Sequence, residues 1–515
     1  MENKRTNDNL KEKKGAESKR VRERKLNRKL AKVGLIVCII QIIVSAVFLF
    51  YTNKLKIIPH SYMSMIALCL FLLALFFMLL QLWKITGIAS TFLSVIVSSV
   101  LMIGCFYVDF TYDKLKAMSG VDTKIDNVNV YVRNEDAAST INDAQAYQFG
   151  ILTGLDRDNT NAIINKIETL TGKKLSITEY ESADELIKAL YDNSTQAIIL
   201  NDAYIGFVKG TEGYEDVESR IRVIYNMSFK TEIKTEESVP EDYLVKDENV
   251  FTILLNGVDT RGSTISNSNS DTNILMTVNM NTHQILMIST PRDYYVPLSI
   301  SNGVRDKLTH SGAYGIDVTM DTLEMLYGVN VDDYVRINFD GFIDVIDALG
   351  GITVYSDYDF VGFDNDVVNM TYQFRQGYNE VNGKQALLFA RERHAFASGD
   401  RQRGKNQMAV IEGIINKATS PQILKNYSGI WNEVSGCVVT SMSYDEIADF
   451  VRKQLDEGIS WDIVKYSVTG LDAMSQAYST GSAQVYVMIP DETTVAQAKE
   501  YLRQIYAGEI VVIPE

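Results

Sequence analysis

Cysteine is scarce. The 515 residues hold four, and Cys38, Cys69 and Cys105 fall in long apolar runs, which leaves Cys437 alone in the large acidic remainder. No intramolecular disulfide is available there, so that part must be held by its core. With 46% hydrophobic residues, a chain of this length can form two or three units that each bury one. Residues 1–32 lack aromatics and any apolar stripe, which points to a disordered tail. They contain no helix-turn-helix pattern either, which argues against a DNA-binding regulator. The first apolar run starts late and has no small-residue cleavage site, so it reads as an anchor and not a removable signal. Between 110 and 245 nothing has the spacing of a metal or nucleophile site.

What is present is distributed unevenly. Residues 1–32 carry thirteen Lys and Arg against five Asp and Glu, whereas 110–515 carry 34 against 59. That asymmetry suggests two compartments. Between them lie three apolar runs, Val33 to Tyr51, Ser61 to Trp83 and Gly87 to Val108, each about the 20 residues that cross a bilayer. A basic flank before the first span is kept on the cytoplasmic side. Three crossings then put everything after Asp109 outside the cell membrane, despite Lys54 and Lys56 in the first loop. The expected organisation is a basic cytoplasmic tail (1–32), three membrane helices (33–108), a small α/β accessory domain (109–245) and a larger α/β domain (246–515) with a mixed sheet and flanking helices.

In the accessory region Val128 to Val132 and Ala197 to Leu200 read as strands, and Asn159 to Leu170 and Ser182 to Tyr191 as helices. The acidic stretch Lys230 to Glu248 reads as a linker. Beyond it, strands are expected at Phe251 to Leu255, Asn273 to Val278, Gln284 to Ser289 and Tyr334 to Phe339. Helices are expected at Tyr314 to Leu326, Gly341 to Leu349, from Gly383 to Arg391 and from Gln402 to Lys417. The last of these places Arg403 and Gln407 on one face.

Charged residues cluster where those strands end: Asp259 and Arg261, Asp271, then Arg292 and Asp293. Strand ends are where ligands bind in α/β sheets. Asp259 and Asp271 could be turn residues, but a facing pair of carboxylates suits a divalent cation, and beside phosphate that cation is Mg²⁺. Downstream, Arg391, Arg393, Arg401, Arg403 and Lys405 oppose only Glu392 and Asp400. Clustered guanidinium groups grip phosphate through paired hydrogen bonds, although such a run can also be a solvated surface. Lys307 and His310 precede a helix, and a lone histidine is more often structural. His394, between arginines, is a poor candidate for a catalyst.

The series Gly257-Val258-Asp259-x-Arg261, Ser270-Asp271-Thr272, Thr290-Pro291-Arg292-Asp293, Lys307-Leu308-Thr309-His310 and Arg391 to Gln407 resembles the LytR-CpsA-Psr family, particularly its streptococcal capsule members. The resemblance is strong over about 250 to 415 and is expected to run to the end, and three spans with an accessory domain also fit the capsule members. It departs at Gly404-Lys405-Asn406, where the family often has a further Arg-Gln pair, and at Thr290 and Leu308. It implies a membrane-anchored phosphotransferase that moves a glycopolymer, expected to be capsular polysaccharide, from an undecaprenyl-pyrophosphate carrier to peptidoglycan. Capsule assembly proteins are possible partners, and no nucleic acid is expected.

In that reading Asp259 and Asp271 hold Mg²⁺ (or Mn²⁺). Arg261, Arg292, Arg391, Arg393, Arg403 and Gln407 bind the pyrophosphate, and Asp271 or, second, Asp293 takes the acceptor proton. The polyprenyl tail is expected along the helices near Met320 to Leu326 and Phe342 to Ile346, a face equally suited to ordinary core. A lipid-pyrophosphate hydrolase and a membrane-bound regulator remain the alternatives.

Overall fold

A computed structural model of the chain describes residues 2–233, 243–244, 246–260, 265–364, 367–420 and 437–514. They fall into two compact units, one of 1–116 with 444–458 and one of 117–443 with 459–515.

The first unit is helical. Helices Glu2–Lys54, His60–Leu80 and Lys84–Met118 each contain a stretch long and apolar enough to cross a membrane. The first begins at Glu2, where a disordered tail was expected. Its basic segment is built from Lys, Arg, Glu, Leu and Ala, which favour helix. Lys54 pairs with Asp109 at 3.3 Å and its ammonium lies 4.0 Å from the Tyr112 ring centroid, so the end of the first helix lies level with the end of the third. Ser94 donates a 2.6 Å hydrogen bond to Gln41 Oε1 between these two helices. The helix Tyr444–Glu457 completes this unit, and its Asp445 meets Lys56 at 2.7 Å.

The second unit holds two principal sheets. The smaller has five strands in the order Ser176–Tyr180, Gln148–Leu152, Ala197–Asn201, Thr123–Arg133, Ile221–Glu232. Alternating apolar residues of its strands, such as Val128, Val130 and Val132, bury against Ile163, Ile164 and Ile167 of helix Arg157–Thr171. Its last strand runs to Glu232, taking up the first residues of the stretch read as a linker; 234–242 and 245 lie outside the described residues.

The larger sheet has six strands in the order Val438–Thr440, Asp333–Ile337, Val250–Val258, Ser270–Asn279, Gln284–Ser289, Asp462–Ser467. The four central ones follow the apolar patterns of the sequence. Successive side chains point to opposite faces. On one face Leu254, Leu275 and Leu286 are sealed by Leu308, Ile316 and Leu323 and by Leu502 and Ile505 of helix Glu492–Tyr506. On the other lie helices Phe339–Ala348, Gly383–Arg391 and Asp400–Ala418, which pack on one another around Ile346, Leu387 and Val410.

The helix expected from Tyr314 to Leu326 is present as Ile316–Tyr327, and a short helix that was not expected precedes it. Tyr314 ends Leu308–Tyr314, and Ile316–Tyr327 starts anew after Gly315, whose φ of 137° and ψ of 161° lie outside any helix. A Cβ there would sit 2.2 Å from Asp317 Oδ1, so the break requires glycine.

Candidate active site

Three strands of the larger sheet bring the sequence candidates to one edge. Asp259 follows Val250–Val258, whose pairing with the next strand shifts register between Gly257 and Val258. Such a bulge re-aims the residues beside it. Asp271 lies at the start of its strand, not after one as the sequence reading had it; because that strand runs antiparallel, its start meets the end of its neighbour. Arg292 and Asp293 follow Gln284–Ser289, which runs back to the same edge. Arg391 is delivered by helix Gly383–Arg391, whose start is fixed by reciprocal 3.0 Å hydrogen bonds between Asn382 and Gln385. Arg261 lies outside the described residues.

The positive cluster is matched by carboxylates. Arg292 Nη1 donates to both Asp271 oxygens, at 3.1 and 3.2 Å. Arg403 pairs with Asp400 at 2.8 Å, Arg393 approaches the same carboxylate at 4.0 Å, and Arg391 pairs with Asp364 while its guanidinium lies 4.6 Å from the Phe339 ring centroid. Lys307 pairs with buried Asp293 at 2.5 Å. Thr309 donates to Asp271 at 3.2 Å. The excess of positive charge counted along 391–405 is therefore reduced by Asp271, Asp293 and Asp364, which the fold brings in from elsewhere. Asp364, Asp400 and Thr309 were given no role from the sequence, although Asp400 lies inside the arginine stretch and Thr309 inside the motif Lys307 to His310; only Asp364 carried no sequence signal.

The electrostatics still favour an anion. Burial opposes ionisation of Asp271, yet Arg292, Arg403 and Thr309 outweigh it and hold its carboxyl below the usual range. Lys307 and Arg292 likewise hold Asp293 down against its burial. Arg403 is pushed below its ordinary value by burial and then by Arg292 beside it, a strain that bound phosphate would relieve. Arg292 Nε is buried and hydrogen-bonded to no described residue, 3.6 Å from Asp293 and 3.7 Å from Asp400.

Asp259 is open to the cleft, but the surrounding walls limit its hydration; that desolvation, and then the charge of Asp271, raise its pKa. A cation between the two carboxylates would relieve this repulsion. Among the described residues no cluster of three or more Asp, Glu, His or Cys side chains could enclose a metal. Two carboxylates completed by phosphate oxygens are nevertheless a donor set that suits Mg²⁺, so the residues fit the ion with substrate present.

The charged edge opens into a cleft of about 1300 Å³ that runs under the second face of the sheet. Leu255, Met276, Val335 and Ile337 form one wall, and Phe342, Leu387 and Ile411 another. One helix spans the whole gradient: Arg403, Gln407, Ile411 and Ile414 or Ile415 line the cleft at steps of three or four residues along Asp400–Ala418. At 1.5 Å per residue that face passes from guanidinium to aliphatic in about 12 Å. Of the two expected lipid-lining segments, Phe342 and Val345 line the cleft, whereas Met320 and Leu323 belong to the sealed core.

His310 is structural in its contacts. Its Nδ1 lies 2.7 Å from both Asp306 and Ser479, and its ring packs on Phe207 at 4.8 Å. His394 accepts a 3.3 Å hydrogen bond from Arg393, and Arg401 is turned toward Gly470 and Asp472.

The LytR_cpsA_psr family model matches residues 219–503, more than half of the chain. The chain belongs to the LytR-CpsA-Psr family. A "polyisoprenyl-teichoic acid--peptidoglycan teichoic acid transferase TagU" of Bacillus licheniformis is 36% identical over 206 residues, 40% of this chain and 64% of that protein. A TagU of Enterococcus faecalis is 34% identical over 220 residues, 42% of this chain and 70% of that one. The crystal structure of Bacillus subtilis TagV matches with 26% identity and a TM-score of 0.42, covering 52% of this chain and 100% of its own. This LytR-CpsA-Psr chain thus spans slightly under two thirds of the Bacillus licheniformis relative. The strand Ile221–Glu232 of its smaller sheet falls inside the family match.

Proposed function

We propose that this protein is a membrane-anchored phosphotransferase that carries a glycopolymer from a polyprenyl-pyrophosphate carrier to a hydroxyl of peptidoglycan on the outer side of the membrane. The observation that carries the reading is the helix face from Arg403 through Gln407 to Ile411 and Ile414, whose order of polarity matches a pyrophosphate attached to a long hydrocarbon. The family relatives named as transferases to peptidoglycan support the reaction class, and the basic first segment supports the orientation. We take the polymer to be a capsular polysaccharide, on the strength of the capsule-like motif series and the accessory domain.

In this reading Arg292, Arg391, Arg393 and Arg403 hold the pyrophosphate and stabilise the charge that grows on the departing lipid phosphate, while the acceptor oxygen attacks the sugar-linked phosphorus in line. Gln407 orients the phosphate beside the start of the apolar channel. Asp259 and Asp271 would hold Mg²⁺, which neutralises phosphate oxygens when bound. Asp271 and Asp293 were the expected bases, but each is held ionised by a cation, which makes it a weak one. Their work here is to aim Arg292 and Lys307; a loose phosphoryl-transfer transition state asks little of a base, and the acceptor proton leaves late, to an oxygen of the departing lipid phosphate.

The test uses the purified full chain, lipid-linked capsular polysaccharide or teichoic acid, and peptidoglycan acceptor. Arg391→Ala is expected to lower transfer by about 10²–10³-fold with the melting temperature little changed. Undiminished transfer would sink the site assignment. Free phosphorylated polymer in place of the peptidoglycan conjugate would mark a hydrolase.

A further inference from the structure

The smaller sheet is fixed against the site and forms part of its wall. Lys124 pairs with Asp317 at 2.8 Å, Asn267 donates to Asp126 at 2.9 Å, and Phe207 packs at a tilt against His310 in the helix that carries Thr309. Gly206 approaches the loop before Asp271 so closely that a Cβ there would lie 2.7 Å from the Asn269 side chain. As a result Lys209 and Glu218, themselves paired at 2.7 Å, line the same cleft as Arg391 and Arg403, and both act electrostatically on Asp259.

Between this wall and the phosphate site lie polar atoms with no partner. Asn256 is 1% exposed, lines the cleft and leaves its Oδ1 without a hydrogen bond among the described residues. Ser268 Oγ and Asn269 Oδ1 are in the same state and line the same stretch. Buried acceptors without donors are costly, and several together call for a ligand rich in hydroxyl groups.

From these placements we infer that the smaller domain, through Lys209 and Glu218, and the strip Asn256, Ser268 and Asn269 form a sugar subsite that selects the residue linked to the pyrophosphate. The inference rests on the proposed donor. In that donor the sugar lies across the pyrophosphate from the hydrocarbon, and this wall stands at the charged end of the cleft, away from Ile411 and Ile414. On this wall Lys209 and Arg222 stand with Glu218, Glu215 and Asp202, a small excess of negative charge, so the subsite suits a neutral or N-acetylated sugar over a uronic acid.

Binding to the full chain in detergent would be compared for three probes: undecaprenyl pyrophosphate, the same lipid carrying one N-acetylglucosamine, and the same lipid carrying one glucuronic acid. The wild type should bind the N-acetylglucosamine probe about tenfold more tightly than the bare lipid and than the glucuronic acid probe. Lys209→Ala with Glu218→Ala should erase that preference and leave affinity for the bare lipid unchanged; both side chains are well exposed, so folding is not at stake. A wild type that ignores the sugar, or a double variant that keeps the preference, overturns the subsite while leaving the transferase reading intact. Failure to bind even the bare lipid overturns both.

Discussion

Leu254 and Leu255 are neighbours in one strand and meet opposite fates. Leu254 is fully buried in a core closed by the helices of residues 308–327 and 492–506, while Leu255 is half-buried in the wall of a cleft. The same period of two that makes the sheet sets them on opposite faces. What separates the faces is how well the covering helices fit. On the cleft side the helices 339–348, 383–391 and 400–418 bury Ile346, Phe389 and Val410 against one another and leave Ile411 and Phe342 to the cavity. Apolar surface left wet costs about 25 cal/mol per Å². This fold seals one face and keeps apolar surface of the other open to a cleft.

The contrast can be broken from either side. Leu323→Ala, on the sealed face, should cost about 2–5 kcal/mol in stability, read as a fall in the denaturant midpoint, with transfer by the remaining folded protein unchanged. Ile411→Asp, on the open face, should do the reverse. It should lose about 1.5–3 kcal/mol of donor binding, roughly tenfold to a hundredfold in affinity for the lipid-linked donor, with stability altered by less than about 1 kcal/mol. Equal destabilisation by the two would mean that the cleft face is ordinary core.

Much of this was legible in the chain and some was not. Periodicity gave the strand Gln284–Ser289 its observed bounds, and four-residue spacing placed Arg403 and Gln407 on one helix face. The motif series located Asp259, Asp271, Arg292 and Arg391 before any geometry was known. The helix break at Gly315 escaped because the apolar spacing continues across it; only the backbone angles reveal that the chain restarts. The partners of the arginines escaped for a different reason. Asp364 lies 27 residues before Arg391 at the end of a hairpin strand, and Asp271 lies 21 before Arg292, so no local pattern could show that the cluster is matched by carboxylates. Which of two apolar helices faces a cavity was equally hidden, since Met320 and Phe342 look alike to any hydropathy count.

The smaller sheet and its helices offer the mildest test, because there the same comparison concerns a charge. Asp271 is half-buried beside a cation and held ionised; Asp156 is half-buried with no ion-pair partner among the described residues. It sits at φ 51° before helix Arg157–Thr171, accepts from Asn201 and Asn159 at 2.7 Å each, and is pushed up to about 6 by burial, with the Asp126 charge adding to it. Since this carboxyl binds its proton more tightly folded than unfolded, it costs nothing below about pH 4. The penalty grows as pH rises toward 6, reaching on the order of 3 kcal/mol above that. Asn tolerates the left-handed backbone and carries no charge to desolvate. It keeps an acceptor for only one of the two amides, so the net gain of Asp156→Asn at neutral pH should be smaller, about 1 kcal/mol. The measurement is melting temperature against pH: the variant should lose the fall between pH 4 and 6 and melt a few degrees higher at pH 7, whereas an unchanged slope would show that Asp156 is already hydrated in the fold.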